Sequence, residues 1–314
     1  MVTAPCLVCG DSGAWPVWHL RDDQYLAQLG LPPDAARKVM CRSCGLVYSR
    51  PRLESNEIGR LYASFRDSEV PGARHLAAKQ QLAREDFQWL QEHLGAPGCV
   101  LDIGCSEGSL LDLFRQAGWT CTGIEPSTYA AFARRHYGLN VHRGVFESTE
   151  LSPASFDLVA ALRVLEHVAE PRDMLHRVRT ILRSGGRLYL ETPDAWKPRH
   201  RLDEFLGAQH LWLFTTESLT HLLEGSGFRV CALDATGRGL RAVAELPQPA
   251  TMARAAAPVA RPSPADPVRL RLIYLRHRAR YFWKSRGRVA VVKVAKRTIR
   301  ASRLQGIRSW FDRR

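Results

Sequence analysis

Between residues 98 and 246 the sequence predicts an α/β fold, a mostly parallel sheet with helices on both faces. Two observations predict it. Short apolar runs alternate with stretches of helical periodicity at the pitch of strand–helix units. The first of these runs also ends in a glycine-rich turn that opens a helix. A third observation, the distribution of charge, separates this body from the C-terminal segment. Residues 262–314 hold 16 Lys and Arg against Asp266 and Asp312, which accounts for the whole formal charge of +14.

Taken in order, Cys99–Ile103 reads as a strand and Gly108–Gln116 as a helix. Thr120–Ile124 is a strand, Ser127–His136 a helix and Asn140–His142 a short strand. Phe156–Ala161 is a strand, followed by a helix over Pro171–Leu182 that opens with proline at its N-terminus. Gly186–Glu191 is a strand. Thr216–Glu224 is a helix capped by Thr215 or Thr216 and stopped by Gly225 and Gly227. Phe228–Leu233 and Leu240–Leu246 close the sheet. Upstream, residues 74–94 have near-helical apolar spacing within a connector over 51–97, and residues 1–50 contain two short Cys-rich turns. Downstream, six prolines between Pro247 and Pro267 predict a linker, and residues 268–314 form a basic amphipathic tail. No apolar stretch approaches the length of a transmembrane helix, and Met1–Gly10 lacks the pattern of a secretory signal, so a cytoplasmic protein is expected.

Three pieces of sequence carry chemistry in the body. In Val100–Phe114 an apolar strand ends in Asp102, and Gly104 and Gly108 allow a tight turn with close ligand approach. The spacing is neither the dinucleotide fingerprint nor a P-loop. Glu125 follows one strand–helix unit later, placed to accept both ribose hydroxyls of an adenosyl group, the alternative being a surface acid at a strand end. Glu166 and His167 come just after the strand in Ser155–Pro171, at the end of the sheet where open α/β proteins bind ligands.

Together LDIGCSEG, GIEPS, FDLV with EHV, and HLWLFTTESL resemble the class I S-adenosylmethionine-dependent methyltransferases over about residues 98–246. The resemblance is greatest to the branch holding ubiquinone-biosynthesis O-methyltransferases and enzymes that methylate sugars and secondary metabolites. It implies a Rossmann-like seven-stranded sheet whose last strand is antiparallel. It also implies S-adenosylmethionine seated on Asp102, Gly104 and Gly108, with Glu125 on the ribose and Val145 and Phe146 flanking the adenine. Ubiquinone-type enzymes resemble one another in a Glu three residues before the Glu-His pair, where the acids and His hold a divalent metal. Arg163 stands there in this sequence, and a cation beside a metal site is unfavourable, so magnesium is not expected.

Cys6, Cys9, Cys41 and Cys44 form two C-x-x-C-G turns, the pattern of a tetrahedral structural zinc site and hence of a small N-terminal zinc knob, with redox thiols as the alternative. A similar N-terminus occurs in C-methyltransferases of nucleotide-linked deoxysugars. Those carry a further C-terminal α/β domain, so a different acceptor is expected here.

If the acceptor is a hydroxyl its proton must leave, and His167 and His210 are the candidate bases; each has an alternative role as a structural hydrogen-bonder. His210 lies in an insertion over Pro193–Phe214, with Trp196, Arg199, His200, Arg201 and Trp212, that reads as a cover for the acceptor. O-methylation of a saccharide, glycolipid or secondary metabolite is expected. The alternatives are an RNA or protein methyltransferase anchored by its tail, and a non-catalytic binding module on the same fold. The tail suits an anionic membrane surface, peripheral at the inner face. It equally suits packing on the body or a second subunit, and nucleic acid ranks behind both.

Overall fold

The computed structural model describes residues 4–19, 23–32, 37–65, 72–199, 201–248 and 266–279. Strand β1 (Ala14–His19), helix α1 (Gln24–Gln28), strands β2 (Arg37–Cys41) and β3 (Val47–Ser49) and helix α2 (Ser55–Phe65) come first. Helix α3 (Ala73–Gln91) leads into β4 (Cys99–Ile103), α4 (Ser109–Gln116), β5 (Thr120–Glu125), α5 (Tyr129–Tyr137), β6 (Asn140–Arg143) and β7 (Phe156–Leu162). Then come α6 (Pro171–Ile181), β8 (Leu182–Thr192), α7 (Leu202–Phe205), β9 (Trp212–Leu213), α8 (Thr216–Gly225), β10 (Arg229–Asp234) and β11 (Leu240–Glu245). Residues 267–279 form a last helix, α9.

Seven strands make one sheet in the order β10-β11-β8-β7-β4-β5-β6. Strands β4 to β8 are parallel, and β11 runs antiparallel to both β8 and β10. The central strands are apolar on both faces because helices cover both: Val100, Leu101 and Leu158–Ala161 are fully buried. Helix α6 begins at Pro171, and α8 begins in a capping box in which Thr215 and Ser218 satisfy each other's amides. Strand β8 starts four residues earlier than its sequence pattern suggests. Its first residues pass through an irregular register opposite β7, around Gly185 at φ +78°.

A second sheet, β1-β2-β3-β9, is antiparallel throughout. Its fourth strand comes from the insertion after β8: Val47 pairs with Leu213 and Tyr48 with Trp212, and the Tyr48 and Trp212 rings stack at 6.1 Å. The N-terminal strands are therefore built into the body. Arg172 of α6 strengthens this by donating to the carbonyls of Leu7 and Val8, each at 2.8 Å.

Helix α9 is likewise part of the packing. The sequence pattern places a boundary at residue 268, but that position falls inside a helix whose Leu270 and Tyr274 are fully buried. They pack with Val17, Met40, Val47, Leu202, Phe205 and Leu213. Tyr274 meets Trp18 and Phe205 edge-on, each at 6.1 Å. Pattern alone does not reveal this, because the helix has apolar residues on two sides. Of the readings open for the tail, packing on the body holds for 267–279; residues 280–314 lie outside the described residues. Among the described residues no helix is long and apolar enough to cross a membrane.

Because Leu270 fills a closed apolar cluster, Leu270→Ala should cost about 2–4 kcal/mol. Urea denaturation followed by circular dichroism measures this, and an unchanged midpoint would remove α9 from the core.

Candidate functional site

The C-terminal ends of β4, β5 and β7 carry the residues singled out in the sequence. After β4 the chain turns at Gly104, φ +72°, whose N–H donates to the Ile124 carbonyl at 2.8 Å. A Cβ there would come within 2.7 Å of the Val164 side chain. Gly108, φ +90°, precedes the first residue of α4, and a Cβ there would meet the Leu139 side chain at 2.8 Å and Ala133 at 3.0 Å. Both positions need glycine for conformation and for space.

Between them Ser106 adopts φ +52°. Its amide donates to Glu125 Oε2 at 2.9 Å, while the Ser127 amide donates to Oε1 at 2.9 Å. Glu125 is thus fixed by one amide from the glycine turn and one from the start of the next helix. Sequence reasoning missed Ser106 and Glu107. The Ser106 hydroxyl donates to Glu107 Oε2 at 2.7 Å, and Glu107 is buried beside Asp102. Burial first, then the charges of Glu125 and Glu107, push the Asp102 carboxyl well above the carboxylate range. The turn is therefore an acidic, tightly curved cradle beside a helix N-terminus. Its signal in the sequence is Glu107 lying inside the glycine spacing.

Val145 and Phe146 follow β6. Val145 is exposed, whereas Phe146 is buried with the Arg177 guanidinium 4.9 Å from its ring. Val145 is the one of the two that faces outward at the strand end.

His167 and His210, 43 positions apart in sequence, stand together with their ring centroids 4.9 Å apart. His167 Nδ1 lies 2.8 Å from the Gln209 carbonyl and His210 Nδ1 lies 2.9 Å from the Phe205 carbonyl. A carbonyl only accepts, so in each neutral ring Nδ1 carries the hydrogen and Nε2 is the basic atom. Burial first, then the neighbouring His167, hold the His210 imidazole well below its ordinary value. Glu166 is fully buried, and its Oε2 accepts from Thr192 Oγ1 at 3.2 Å. Its Oε1 has no hydrogen-bond partner and lies 3.9 Å from His167 Nε2. Burial pushes the Glu166 carboxyl up. The three side chains bring ligating atoms within 4.8 Å of one another, a geometry that could hold a cation. Arg163, at φ +58°, donates to Glu191 Oε1 at 2.9 Å, and its positive charge is felt at Glu166 and His210.

The insertion is held from the N-terminal sheet. Asp23 Oδ1 caps α1 through the amides of Tyr25 and Leu26, and its Oδ2 accepts from the Ala208 amide at 2.7 Å. Lys38 is buried, and its Nζ donates to Ser49 Oγ at 2.7 Å, to the Gly207 carbonyl at 3.2 Å and to the His210 carbonyl. Trp212 Nε1 donates to the Val168 carbonyl at 2.7 Å. Of the arginines of the insertion, Arg199 donates to the Gly237 carbonyl at 2.6 Å and Arg201 pairs with Asp203 at 2.6 Å. His200 lies outside the described residues.

Further from the sheet, Cys6, Cys9, Cys41 and Cys44 bring their sulfurs within 4.8 Å of one another. Cys6 and Cys44 are 3.4 Å apart and Cys9 and Cys41 3.5 Å. Hydrogen bonds from Cys44 and then Cys6 hold Cys41 far below the thiol range, whereas both of those donors are pushed up.

This geometry is that of a known family. The sequence model described as the methyltransferase domain matches residues 73–233. The chain belongs to this family. Its seven-stranded sheet with an antiparallel last strand and its glycine turn are as the resemblance to class I S-adenosylmethionine-dependent methyltransferases implies. The chain is 30% identical over 131 residues to the ubiquinone biosynthesis O-methyltransferase of Pseudomonas fluorescens, covering 39% of this chain and 56% of that protein. The protein of that name from Azotobacter vinelandii matches to the same extent. The chain thus spans about half the length of the curated relatives it matches. Among solved structures, the 1,6-didemethyltoxoflavin-N1-methyltransferase of Burkholderia thailandensis, with 1,6-didemethyltoxoflavin and S-adenosylhomocysteine bound, is 19% identical. That match covers 67% of this chain and 96% of the other at a TM-score of 0.49. The magnesium protoporphyrin IX methyltransferase of Synechocystis, also with S-adenosylhomocysteine, is 18% identical, covering 61% and 94% at a TM-score of 0.41.

Burial pushes the Lys38 ammonium down to about 7, against about 10.4 in an unfolded chain. Between these values the unfolded chain binds more protons, so Lys38 makes the folded state gain stability as pH rises through that window. Lys38→Met should remove this gain. Urea midpoints of both proteins at neutral and at alkaline pH measure it, and parallel pH profiles would place Lys38 outside the packed interface.

Proposed function

We propose that this chain transfers a methyl group from S-adenosylmethionine to a hydroxyl of a saccharide, glycolipid or secondary metabolite. The observation that carries the reading is the His167–His210 pair at the same end of the sheet as the glycine turn. The relatives from Pseudomonas and Azotobacter are O-methyltransferases by name, which agrees with a hydroxyl acceptor.

In this reading Asp102, Gly104 and Gly108 seat the cofactor, Glu125 takes the ribose hydroxyls, and Val145 and Phe146 border the adenine. Bound S-adenosylmethionine supplies a methyl group on a sulfonium, a leaving group that needs no covalent help from the protein. The protein aligns the acceptor oxygen, excludes water and accepts one proton. His167 Nε2 takes that proton. Glu166 Oε1 lies 3.9 Å from that nitrogen. His210 is held neutral and contributes a ring face and a second basic nitrogen without adding charge. The positive charge of Arg163 opposes a further cation at this cluster, so the base reading is preferred to a metal-assisted one.

The four cysteines are read as a structural zinc site. A tetrahedral metal with sulfur at about 2.3 Å sets neighbouring sulfurs roughly 3.8 Å apart, near the observed 3.4 and 3.5 Å. Four thiols this close cannot all ionise without a counter-charge, which a divalent cation supplies. The basic region 268–314 is read as the part that meets an anionic membrane surface at the inner face of the cell, ahead of nucleic acid.

Two variants test the enzyme reading. Glu125→Ala should weaken S-adenosylhomocysteine binding at least tenfold by calorimetry, since two hydroxyls lose a charged acceptor. His167→Ala should leave that affinity nearly intact and lower methyl transfer to a glycan or lipid fraction about a hundredfold. Equal affinity in the first would remove Glu125 from the cofactor site, and equal turnover in the second would return His167 to a structural role. Elemental analysis of protein prepared without added metal should find about one zinc per chain, and metal-free folded protein with four reactive thiols would refute the zinc reading.

A further inference from the structure

Helix α9 has two apolar rows on opposite sides. At 3.6 residues per turn Leu270, Ile273, Tyr274 and His277 fall on one side, which is the packed one. Val268, Leu272, Leu275 and Ala279, spaced by four, three and four, fall on the other. Val268 is 64% exposed, Leu272 48% and Leu275 52%. With Val145 these are all the large apolar side chains found exposed among the described residues. Arg271 and Arg278 border the outward row on one flank, Arg269 and Arg276 on the other. Arg269 lies over Trp196 at 5.3 Å, Arg278 lies over Trp18 at 6.0 Å, and Arg271 donates to the Pro16 carbonyl. Three of the four guanidiniums thus lean back along the sides of the helix and leave the apolar ridge outermost.

We propose that this outward face of α9 seats the protein on an anionic lipid surface, with the helix lying in the plane of the headgroups. The inference rests on the reading of residues 268–314 as lipid-directed and narrows it to one face of one helix. An apolar ridge between two arginine rows fits acyl boundary and anionic headgroups together. Nucleic acid would engage the arginines and leave Val268, Leu272 and Leu275 in water. A second copy packed on the same face would oppose arginine rows of like charge. The chain up to Arg261 carries 29 basic and 29 acidic residues, so the field that draws the protein to an anionic surface comes from this end. The seat also adjoins the proposed chemistry. Tyr274 packs on Phe205, whose carbonyl holds His210, so a lipid-borne acceptor would reach the site without leaving the surface.

The test uses the full chain and sedimentation with vesicles of phosphatidylcholine alone or with about 30% phosphatidylglycerol. The full chain should bind the acidic vesicles and release as salt rises. The double variant L272S/L275S should bind them about tenfold more weakly or less, with an unchanged urea midpoint because both residues are exposed. If the double variant fails to fold, Val268→Ser, at the most exposed of the three positions, is measured in the same way. A full chain that ignores acidic vesicles overturns the lipid reading itself. A full chain that binds while the variants bind equally overturns only the assignment to this face. A dimer that the double variant converts to monomer, or a matching loss of binding to RNA, gives the face to another occupant and overturns the proposal.

Discussion

The loop from Gly207 to His210 lies buried between two sheets, and its peptide groups need partners there. A buried amide or carbonyl left unpaired costs about 1–3 kcal/mol. Asp23 accepts from the Ala208 amide, and Lys38 donates to the carbonyls of Gly207 and His210. Neither charge would be tolerated at its depth without that loop, and the loop would not be tolerated without them. This reciprocity joins the N-terminal strands to the body. The pairing of β3 with β9, the stack of Tyr48 on Trp212 and the burial of Tyr274 against Phe205 all presuppose it.

The two halves of the candidate site differ in how they are held. The glycine turn is set by local sterics: positive φ at Gly104 and Gly108, no room for a Cβ at either, and the amides of Ser106 and Ser127 that fix Glu125. The histidine pair is set by carbonyls of the insertion, those of Gln209 and Phe205, and so by whatever holds the insertion. A change in the N-terminal sheet therefore reaches the histidine pair through Lys38 while leaving the glycine turn in place. Chains of packed and hydrogen-bonded groups of this kind carry coupling when they have two arrangements. Here Cys41 of the cysteine cluster ends β2, three residues after Lys38.

The same contrast explains what was legible in the sequence. The strands of the seven-stranded sheet were readable within a residue or two at most ends, because alternation and glycine stops are local signals, whereas β9, inside the insertion, was not. The turn at Gly104 and Gly108 was readable for that reason, and the grouping of Cys6, Cys9, Cys41 and Cys44 was readable from spacing alone. Lys38 and Asp23 were not, since the groups of the insertion that they hold lie 169 or more residues away and a lone charge reads as exposed. The inward face of α9 was obscured by the arginines around it. Ser106 and Glu107 were passed over because attention to glycine spacing treats the residues between glycines as filler, although here they complete the acidic cradle.

Arg163 shows how one residue type reshapes the neighbourhood. Its guanidinium turns to Glu191, which also lies 3.8 Å from Arg238, and Arg238 reaches Asp86 of α3 at 2.6 Å. Burial first, and the Glu191 carboxylate second, push Asp86 up to about 7. Two acids and two arginines thus share their charge across the ends of β7 and β8, the β10–β11 hairpin and α3. A cation bound at Glu166 would have to compete with the Arg163 charge, and removing that arginine would take the nearer guanidinium from buried Glu191. Arg163 thus touches both β8, through Glu191, and the β10–β11 hairpin, through the Arg238 carbonyl at 3.4 Å. An acid at position 163 would set a like charge against buried Glu191 and so cost stability.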